Sequence, residues 1–336
     1  MKPPVLALTQ GDPAGIGPEI LLRTLRRSTA QDVRLVLVAE WCALEAVASS
    51  LEGIPWDQLV RCQRIEDLTE VGLDRIPVLD PVGEDRQVRP GEPGLRDAQG
   101  ALAALDQGIA LVRNGQASAL VTAPLNKATI AEHLLPDFRG HTDYLAEGAG
   151  LGKYGHDYLM AFLAPNLRVA LLSTHISLRQ ALETVTTENV LAALRCLSRH
   201  LPGQPRIAVA GLNPHAGEGG LLGEEDEEQV RPAVERAQAE GIDTRGPYSA
   251  DSLFARAVRR EFDWVLALYH DQGLIAVKTA AFGQATNWTL GLPFVRTSVD
   301  HGTAYDIAGQ GRADAEPLGA AIETTLEILD HHRPEG

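Results

Sequence analysis

The sequence predicts an α/β protein in which largely parallel sheets are flanked by helices, and two observations support this fold class. Short, almost continuously apolar runs recur along the chain, as expected for strands that are buried on both faces. Most of these runs are separated by stretches with helical periodicity, the alternation typical of βαβ units. The length of 336 residues is sufficient for one large domain or two ordinary ones.

The elements follow from these patterns in chain order. The predicted strands are Val5–Leu8, Val33–Ala39, Ala117–Ala123, Arg168–Ser173, Arg206–Leu212 and Asp263–Tyr269. The predicted helices are Pro18–Arg27, Gly100–Asn114, Thr187–His200 and Ala250–Glu261. Residues 80–97 are rich in proline, glycine and charge, which indicates a long loop. The acidic segment Gly223–Glu228 is interpreted as the solvated start of a helix, where negative charge is favourable.

Composition and charge exclude several classes of protein. Apolar residues make up 44% of the chain, as in a globular protein, and the net charge of -15 disfavours nucleic acid as a partner. The three cysteines, Cys42, Cys62 and Cys196, are scattered and odd in number, which fits a reducing compartment better than a disulfide framework. The N-terminus lacks the apolar core of a signal peptide, and no apolar run reaches the length of a membrane span. We therefore expect a cytoplasmic protein without a membrane partner.

Polar clusters follow the predicted strands at the points where the strands end. In open α/β sheets, ligands bind beyond the carboxyl ends of the strands, so these clusters are expected to converge on one site. Three of them contain a histidine, and these are His175, His215 and His270. Three imidazoles leave coordination positions open for substrate or water, and they favour zinc, cobalt or nickel over magnesium. A lone loop histidine is more often only hydrogen-bonded, so the metal prediction depends on the three equivalent positions.

Two further groups of polar residues suit a small anion. One offers two cations and an amide for a phosphate or carboxylate, namely Lys278, Asn287 and Arg296. The other, Gly140–Asp143, opens a helical pattern with backbone N–H groups, an imidazole and a hydroxyl. A simple helix cap by Thr142 or Asp143 is the alternative interpretation of that segment.

Two glycine-rich segments have the composition of nucleotide or phosphate loops. Gly11–Gly17 follows the first predicted strand and either approaches a phosphate or cofactor closely or forms a tight turn. Gly150–Gly155 matches G-x-G-x-x-G but follows the predicted helical segment Thr142–Ala149, so the Rossmann context is missing. Pattern alone therefore predicts a metal-assisted enzyme that acts on a small anion, and it does not predict NAD.

The chain resembles the 4-hydroxythreonine-4-phosphate dehydrogenase family. The matching segments follow the family's order along nearly the whole chain: Gly11–Glu19, Gly140–Thr142, Thr174–His175, Gly211–Gly220, Tyr269–Gly273 and Gly291–Ala304. The resemblance implies a two-lobed fold like that of isocitrate and isopropylmalate dehydrogenases, with the active site in the cleft between the lobes. The expected lobes are 1–130 with 295–336, and 131–294, the second carrying the metal ligands and the dimer contacts.

The resemblance also implies roles for individual residues. One divalent ion (zinc, cobalt or magnesium) is expected to bind to His175, His215 and His270. The substrate is expected to contact His141, Thr142, Lys278, Asn287 and Arg296. NAD or NADP is the implied hydride acceptor, held without the Rossmann fingerprint by residues that the motifs do not identify. The family is a homodimer whose metal site takes ligands from both subunits.

The implied reaction is oxidation of 4-phosphohydroxy-L-threonine to 2-amino-3-oxo-4-phosphooxybutanoate, which decarboxylates to 3-amino-2-oxopropyl phosphate in pyridoxine 5'-phosphate biosynthesis. Lys278 is the candidate proton carrier, and Asp271 competes with it. A branch of the family with the same motifs acts on D-threonate or D-erythronate 4-phosphate. A metal-dependent phosphohydrolase is a more remote alternative, because such enzymes usually add carboxylate ligands or a second metal. An acyl-phosphate transferase, on fold analogy alone, and a metal- or metabolite-binding regulator are the remaining alternatives.

Overall fold

A computed structural model describes residues 3–25, 33–281 and 283–331 of the chain. The strands are β1 (Val5–Thr9), β2 (Arg34–Val38), β3 (Leu59–Cys62), β4 (Ile76–Leu79), β5 (Ala119–Thr122), β6 (Leu159–Ala164), β7 (Leu167–Leu171), β8 (Ile207–Ala210), β9 (Thr244–Tyr248), β10 (Trp264–Ala267), β11 (Thr286–Leu290) and β12 (Val295–Val299). The helices are α1 (Gly17–Leu25), α2 (Trp41–Ala48), α3 (Leu95–Arg113), α4 (Lys127–His133), α5 (His141–Gly148), α6 (Leu178–Thr184), α7 (Thr187–His200), α8 (Arg231–Ala239), α9 (Ala250–Val258), α10 (His270–Ala280) and α11 (Glu316–His331).

The first of two compact units takes the described residues up to Leu145 together with those from Phe294. Its strands lie in the order β3-β4-β2-β1-β5-β12, and each pairing is parallel. Helix α11 packs on β5 and β12, whereas α3 packs on β1 and β5. Leu6, Leu37 and Val121 are fully buried in the resulting core. Because all these strands run the same way, their carboxyl ends meet at one edge of the sheet.

The second unit comprises residues Ala146–Pro293. Its strands lie in the order β11-β6-β7-β10-β8-β9. The pairings of β6 with β11 and with β7 are antiparallel, whereas β7, β10, β8 and β9 pair in parallel. The core of this unit includes Val169, Leu171 and Val265. Three parallel neighbours, β7, β10 and β8, therefore end at the same edge, and each of them precedes one of the predicted metal ligands.

The α/β prediction is confirmed, and each predicted strand corresponds to an observed one with small differences at its ends. Among the predicted helices, the first begins at Gly17, and Arg26 and Arg27 lie outside the described residues. Helix α3 begins earlier than predicted, at Leu95, because the Asp97 carboxylate accepts the Gly94 N–H at 2.9 Å and stabilises the first turn. The expected lobes divide after residues 130 and 294, whereas the observed units divide after Leu145 and before Phe294. None of the described helices combines the length and apolar character that a membrane crossing requires.

Candidate active site

The three predicted metal ligands follow three adjacent parallel strands of the second unit. His175 comes after β7, His270 begins α10 directly after β10, and His215 lies in the segment after β8. Since β10 lies between β7 and β8, His270 occupies the central position. The sheet thus brings all three histidine-bearing segments to one edge.

Buried polar side chains connect these segments to one another. The Ser173 hydroxyl donates to the Leu268 carbonyl at 2.9 Å and so links the ends of β7 and β10. The Gln272 side-chain amide donates to the Gly211 carbonyl at 2.7 Å and its oxygen accepts the Leu268 N–H, which links the ends of β10 and β8. These bonds lie in the interior, where lost partners are costly, so they hold the histidine segments in a defined arrangement.

His175 and His270 form a pair of neighbouring imidazoles. Their ring centroids are 5.4 Å apart. The Nδ1 of His270 lies 2.7 Å from an Asp271 carboxylate oxygen. A carboxylate on one ring nitrogen fixes the tautomer and leaves the other nitrogen available, as is usual for a metal-bound histidine.

His215 lies in an unusual left-handed turn. Its φ angle is 54°, that of Ala216 is 52°, and Gly217 and Gly219 are also in the left-handed region. Non-glycine residues adopt this conformation only at an energetic cost, so the surrounding structure must hold the turn in place. The side chain of His215 is largely exposed, and its Nδ1 lies 3.5 Å from a Glu218 carboxylate oxygen.

Asp226 holds this turn and is the exception within Gly223–Glu228, where Glu224, Glu225 and Glu228 are exposed at the start of a helical stretch, as predicted. Asp226 is fully buried, and its two carboxylate oxygens accept the N–H groups of Leu212 at 2.7 Å and Asn213 at 2.9 Å. The acidic composition predicts a helix start, whereas the Asp226 carboxylate pairs with the backbone just before His215. Sequence reasoning missed this residue, because a single aspartate among other acids has no distinguishing signal.

Within the part of the chain that the structure describes, no three histidine, cysteine, aspartate or glutamate side chains are arranged to hold a metal ion. The candidate ligands of one chain therefore provide part of the donor set that a metal ion needs. The His175–His270 pair and the Asp271 carboxylate have the chemistry of metal ligands, and His215 follows the neighbouring strand β8.

The first unit carries a second group of predicted site residues, Arg296, His141 and Thr142. Arg296 lies on β12 in register with Leu120, but its Nη2 donates to the Thr122 hydroxyl at 2.6 Å, so the guanidinium extends toward the carboxyl end of β5. Burial lowers the pKa of Arg296 to about 9, which leaves the group charged at neutral pH. His141 and Thr142 begin α5, where backbone N–H groups are directed outward.

Positive charge is concentrated around His141. Burial lowers the pKa of this imidazole well below its usual value, and the nearby charges of Arg296 and Lys127 lower it further. Lys127 is the last residue of the polar segment that follows β5, but sequence reasoning did not select it as a site residue. Its selection would have required knowledge that Lys127 and Gly140 approach each other in the fold. The combination suits an anion.

The remaining predicted residues, Lys278 and Asn287, belong to the second unit. Lys278 is exposed near the end of α10, seven residues after Asp271, a spacing that puts both on one side of the helix. The Asn287 Oδ1 on β11 is buried and has no hydrogen-bond partner within the described residues. A buried amide oxygen of this kind suits a donor group on a ligand.

Both glycine-rich segments make contacts within the chain. A Cβ on Gly11 would lie 2.0 Å from the Pro124 carbonyl oxygen, and one on Gly17 would lie 1.8 Å from that of Gln10, so contacts within the chain require these glycines. This favours the tight-turn interpretation of Gly11–Gly17. In the other segment, the N–H groups of Gly152 and Lys153 both donate to the Asp157 carboxylate at 2.9 Å.

The fold and these residues define an α/β protein with an imidazole-bearing sheet edge in its second unit. Its first unit has a group of residues suited to an anion, here called the anion-binding cluster: Arg296, Lys127, His141 and Thr142. The profile described as pyridoxal phosphate biosynthetic protein PdxA matches residues 30–325. A 4-hydroxythreonine-4-phosphate dehydrogenase from Acidithiobacillus ferrooxidans is 42% identical, with 99% of this chain and 98% of the relative covered. The chain belongs to the PdxA family.

Solved structures agree with this assignment. The 4-hydroxythreonine-4-phosphate dehydrogenase from Klebsiella pneumoniae has a TM-score of 0.85 at 36% identity, with coverage of 97% of this chain and 99% of that one. A terephthalate 1,2-cis-dihydrodiol dehydrogenase from Burkholderia xenovorans is more distant, with a TM-score of 0.63 at 26% identity and coverage of 96% and 97%. These relatives are oxidoreductases by name, and their named substrates differ in whether they carry a phosphate.

Proposed function

We propose that this protein is a metal-dependent, NAD(P)-linked dehydrogenase that oxidises 4-phosphohydroxy-L-threonine to 2-amino-3-oxo-4-phosphooxybutanoate. The product is a 3-oxo acid, which loses carbon dioxide to give 3-amino-2-oxopropyl phosphate. Membership in the PdxA family and the names of relatives over nearly the full chain support this activity. The reaction would serve pyridoxine 5'-phosphate biosynthesis in the cytoplasm.

The observation that carries the proposal is the imidazole pair of His175 and His270, with the Asp271 carboxylate 2.7 Å from Nδ1 of His270. Together with His215, these residues would hold a divalent ion such as zinc, cobalt or magnesium. When bound, such an ion lowers the pKa of a coordinated hydroxyl and polarises a carbonyl. Asp271 holds the tautomer and orientation of His270.

The anion-binding cluster of the first unit would bind the phosphate group of the substrate. Arg296 supplies a fixed, planar donor group, and His141 and Thr142 add an imidazole and a hydroxyl at the start of α5. In the second unit, the buried Oδ1 of Asn287 would accept a hydrogen bond from a substrate donor. A phosphorylated hydroxy acid offers both an anion and donor groups.

Removal of the substrate proton requires a base, and Lys278 is the better of the two candidates. The Asp271 carboxylate is already bound to His270 Nδ1 at 2.7 Å, so proton removal by Asp271 would disturb that imidazole. Lys278 lies on the same side of α10, about 10 Å along the helix from Asp271. NAD or NADP would accept the hydride.

A homodimer that shares its metal site is the proposed assembly. In the chain, an exposed apolar side chain follows shortly after each histidine of the sheet edge: Leu178 after His175, Leu221 after His215, and Ile275 after His270. Their exposed fractions are 59%, 78% and 66%. Apolar groups concentrated around polar site residues are typical of a surface that another subunit covers. The partner would then supply the ligands that one chain lacks.

The test is NADH formation by purified, metal-loaded protein with 4-phosphohydroxy-L-threonine, D-threonate 4-phosphate and D-erythronate 4-phosphate, each with and without chelator. Chelator-sensitive turnover that is fastest with the amino acid is the expected result. Faster turnover of a sugar acid would keep the chemistry and assign the protein to the threonate or erythronate branch. Absence of NADH with all three, accompanied by release of inorganic phosphate, would replace the proposal with a phosphohydrolase.

A further inference from the structure

The side chain of Lys127 lies across Gly140, next to His141. A Cβ on Gly140 would lie 2.6 Å from the Lys127 Cε and 3.2 Å from its Nζ. Any side chain at position 140 would therefore displace the lysine. The absence of a side chain there lets the Lys127 ammonium approach the start of α5, close enough for its charge to lower the pKa of His141.

The position of Lys127 does not favour the stability of its own helix. Lys127 is the first residue of α4, where outward-directed N–H groups carry partial positive charge and disfavour a cation. Asn126 already caps this helix, because its side-chain oxygen accepts the N–H groups of Ala128 at 2.9 Å and Thr129 at 3.2 Å. Among the residues that the structure describes, no carboxylate forms an ion pair with Lys127. A binding role explains the lysine better than a structural one.

Lys127 and Arg296 flank His141 with two different kinds of cation. Arg296 is buried and held by Thr122, whereas Lys127 is exposed and able to adjust its position. A carboxylate carries one negative charge, which a single guanidinium matches. A phosphate monoester carries nearly two at neutral pH, so a second cation favours phosphate over carboxylate.

We infer that Lys127 is a specificity-determining residue that supplies the second cation for a phosphate dianion, with Arg296 as the first. The inference rests on the proposed function only for the identity of the phosphorylated substrate. The contacts that support it lie within the first unit and involve no metal or nucleotide.

Binding of inorganic phosphate and of acetate to the purified full-length protein, measured by isothermal titration calorimetry, tests this role without turnover. Lys127→Gln removes the charge, Lys127→Arg keeps it, and Lys153→Gln removes the charge of an exposed lysine in the other unit. We expect Lys127→Gln to weaken phosphate binding about tenfold and acetate binding less than about twofold, as for loss of one charge-assisted contact. Lys127→Arg should retain most of the affinity, and Lys153→Gln all of it.

Equal phosphate affinity in Lys127→Gln and the unchanged protein would overturn the inference, as would equal weakening of phosphate and acetate. Absence of phosphate binding in the unchanged protein would also overturn it. Phosphate selectivity that depends on Lys127, in a protein that makes no NADH from any phosphorylated hydroxy acid, would support the inference while the proposed function fails. Thermal melts of each variant show whether it is folded.

Discussion

At the scale of single residues, two cations, Arg296 and Lys127, act on the same imidazole, that of His141. Removal from water and the adjacent cations hold the pKa of His141 well below its usual value, so the imidazole is neutral around neutral pH. Like charges in a partly dehydrated setting repel one another, and a bound anion relieves this repulsion. The cluster is therefore expected to be more stable with an anion bound than without one.

The depressed pKa of His141 has a consequence for stability against acid. In the unfolded chain this histidine takes up a proton near pH 6.5, whereas in the folded protein it does so only at lower pH. The unfolded state thus binds more protons below about pH 6.5, so the free energy of unfolding falls as the pH decreases. One such group contributes at most about 1.4 kcal/mol per pH unit.

Urea unfolding between pH 7.5 and 5.5 measures this effect. We expect His141→Gln to lose less stability on acidification than the unchanged protein, by about 1 kcal/mol. His133→Gln removes an exposed histidine of α4 and serves as the control. Parallel pH dependence in the unchanged protein and His141→Gln would contradict the assigned environment of His141.

Lys278 and Asp271 are expected to differ in the kind of defect that their replacement causes. Lys278→Met should lower kcat at saturating substrate by at least about 100-fold, because a positioned base contributes that much or more. Asp271→Asn should lower the affinity for the divalent metal by about 10–100-fold, because the orienting partner of His270 is changed. Metal titration and steady-state kinetics on both variants separate the roles. Near-normal kcat in Lys278→Met would exclude this lysine as the base.

At the scale of elements, the turn from His215 to Gly219 depends on a contact that is distant in sequence. Each non-glycine residue in the left-handed region costs about 1–2 kcal/mol, so the turn does not form without support. The buried Asp226 carboxylate supplies this support from the segment that leads into α8. The backbone that leads into His215 is therefore held by an acidic residue from a later segment.

Asp226→Asn should release the turn. An asparagine side chain presents one acceptor and one donor to two N–H groups, so one buried N–H loses its partner. The expected loss is about 1–3 kcal/mol of unfolding free energy, together with weaker metal binding. Phosphate affinity should not change, because the anion-binding cluster belongs to the first unit. Glu224→Gln, at an exposed acid of the same segment, is the control; a matching defect in it would assign the effect to net charge.

At the scale of the whole molecule, the proposed homodimer is tested at the exposed apolar residues that follow the histidines in the chain. Leu178→Glu combined with Leu221→Glu should convert a dimer into a monomer, which sedimentation velocity would show directly. Metal-dependent turnover should be lost with it, since the shared site would be incomplete. Leu73→Glu changes an equally exposed leucine, 80% exposed, in the first unit and should leave the dimer intact. Dimers that persist in the double variant would exclude this surface.

Prediction from the sequence was most successful for features that depend on a single strand. Fully buried parallel strands such as β1 and β10 are continuous apolar runs, so their ends, and the histidine that follows β10, were predictable. Strands with mixed composition, such as β11 with its sequence TNWTL, do not stand out from loops. The roles of Lys127 and Asp226 arise from contacts between segments that no local pattern encodes. The orientation of His215 was unpredictable for the same reason.

The position of β12 in the chain has a consequence for synthesis on the ribosome. This strand lies beside β5 within the first unit, but its residues follow the entire second unit in the chain. During translation, the nascent first unit has an unpaired β5 edge while residues 146–293 are made. The second unit is thus complete before the sheet of the first is, and an open parallel edge of this kind is a site where chaperones or other nascent chains can attach.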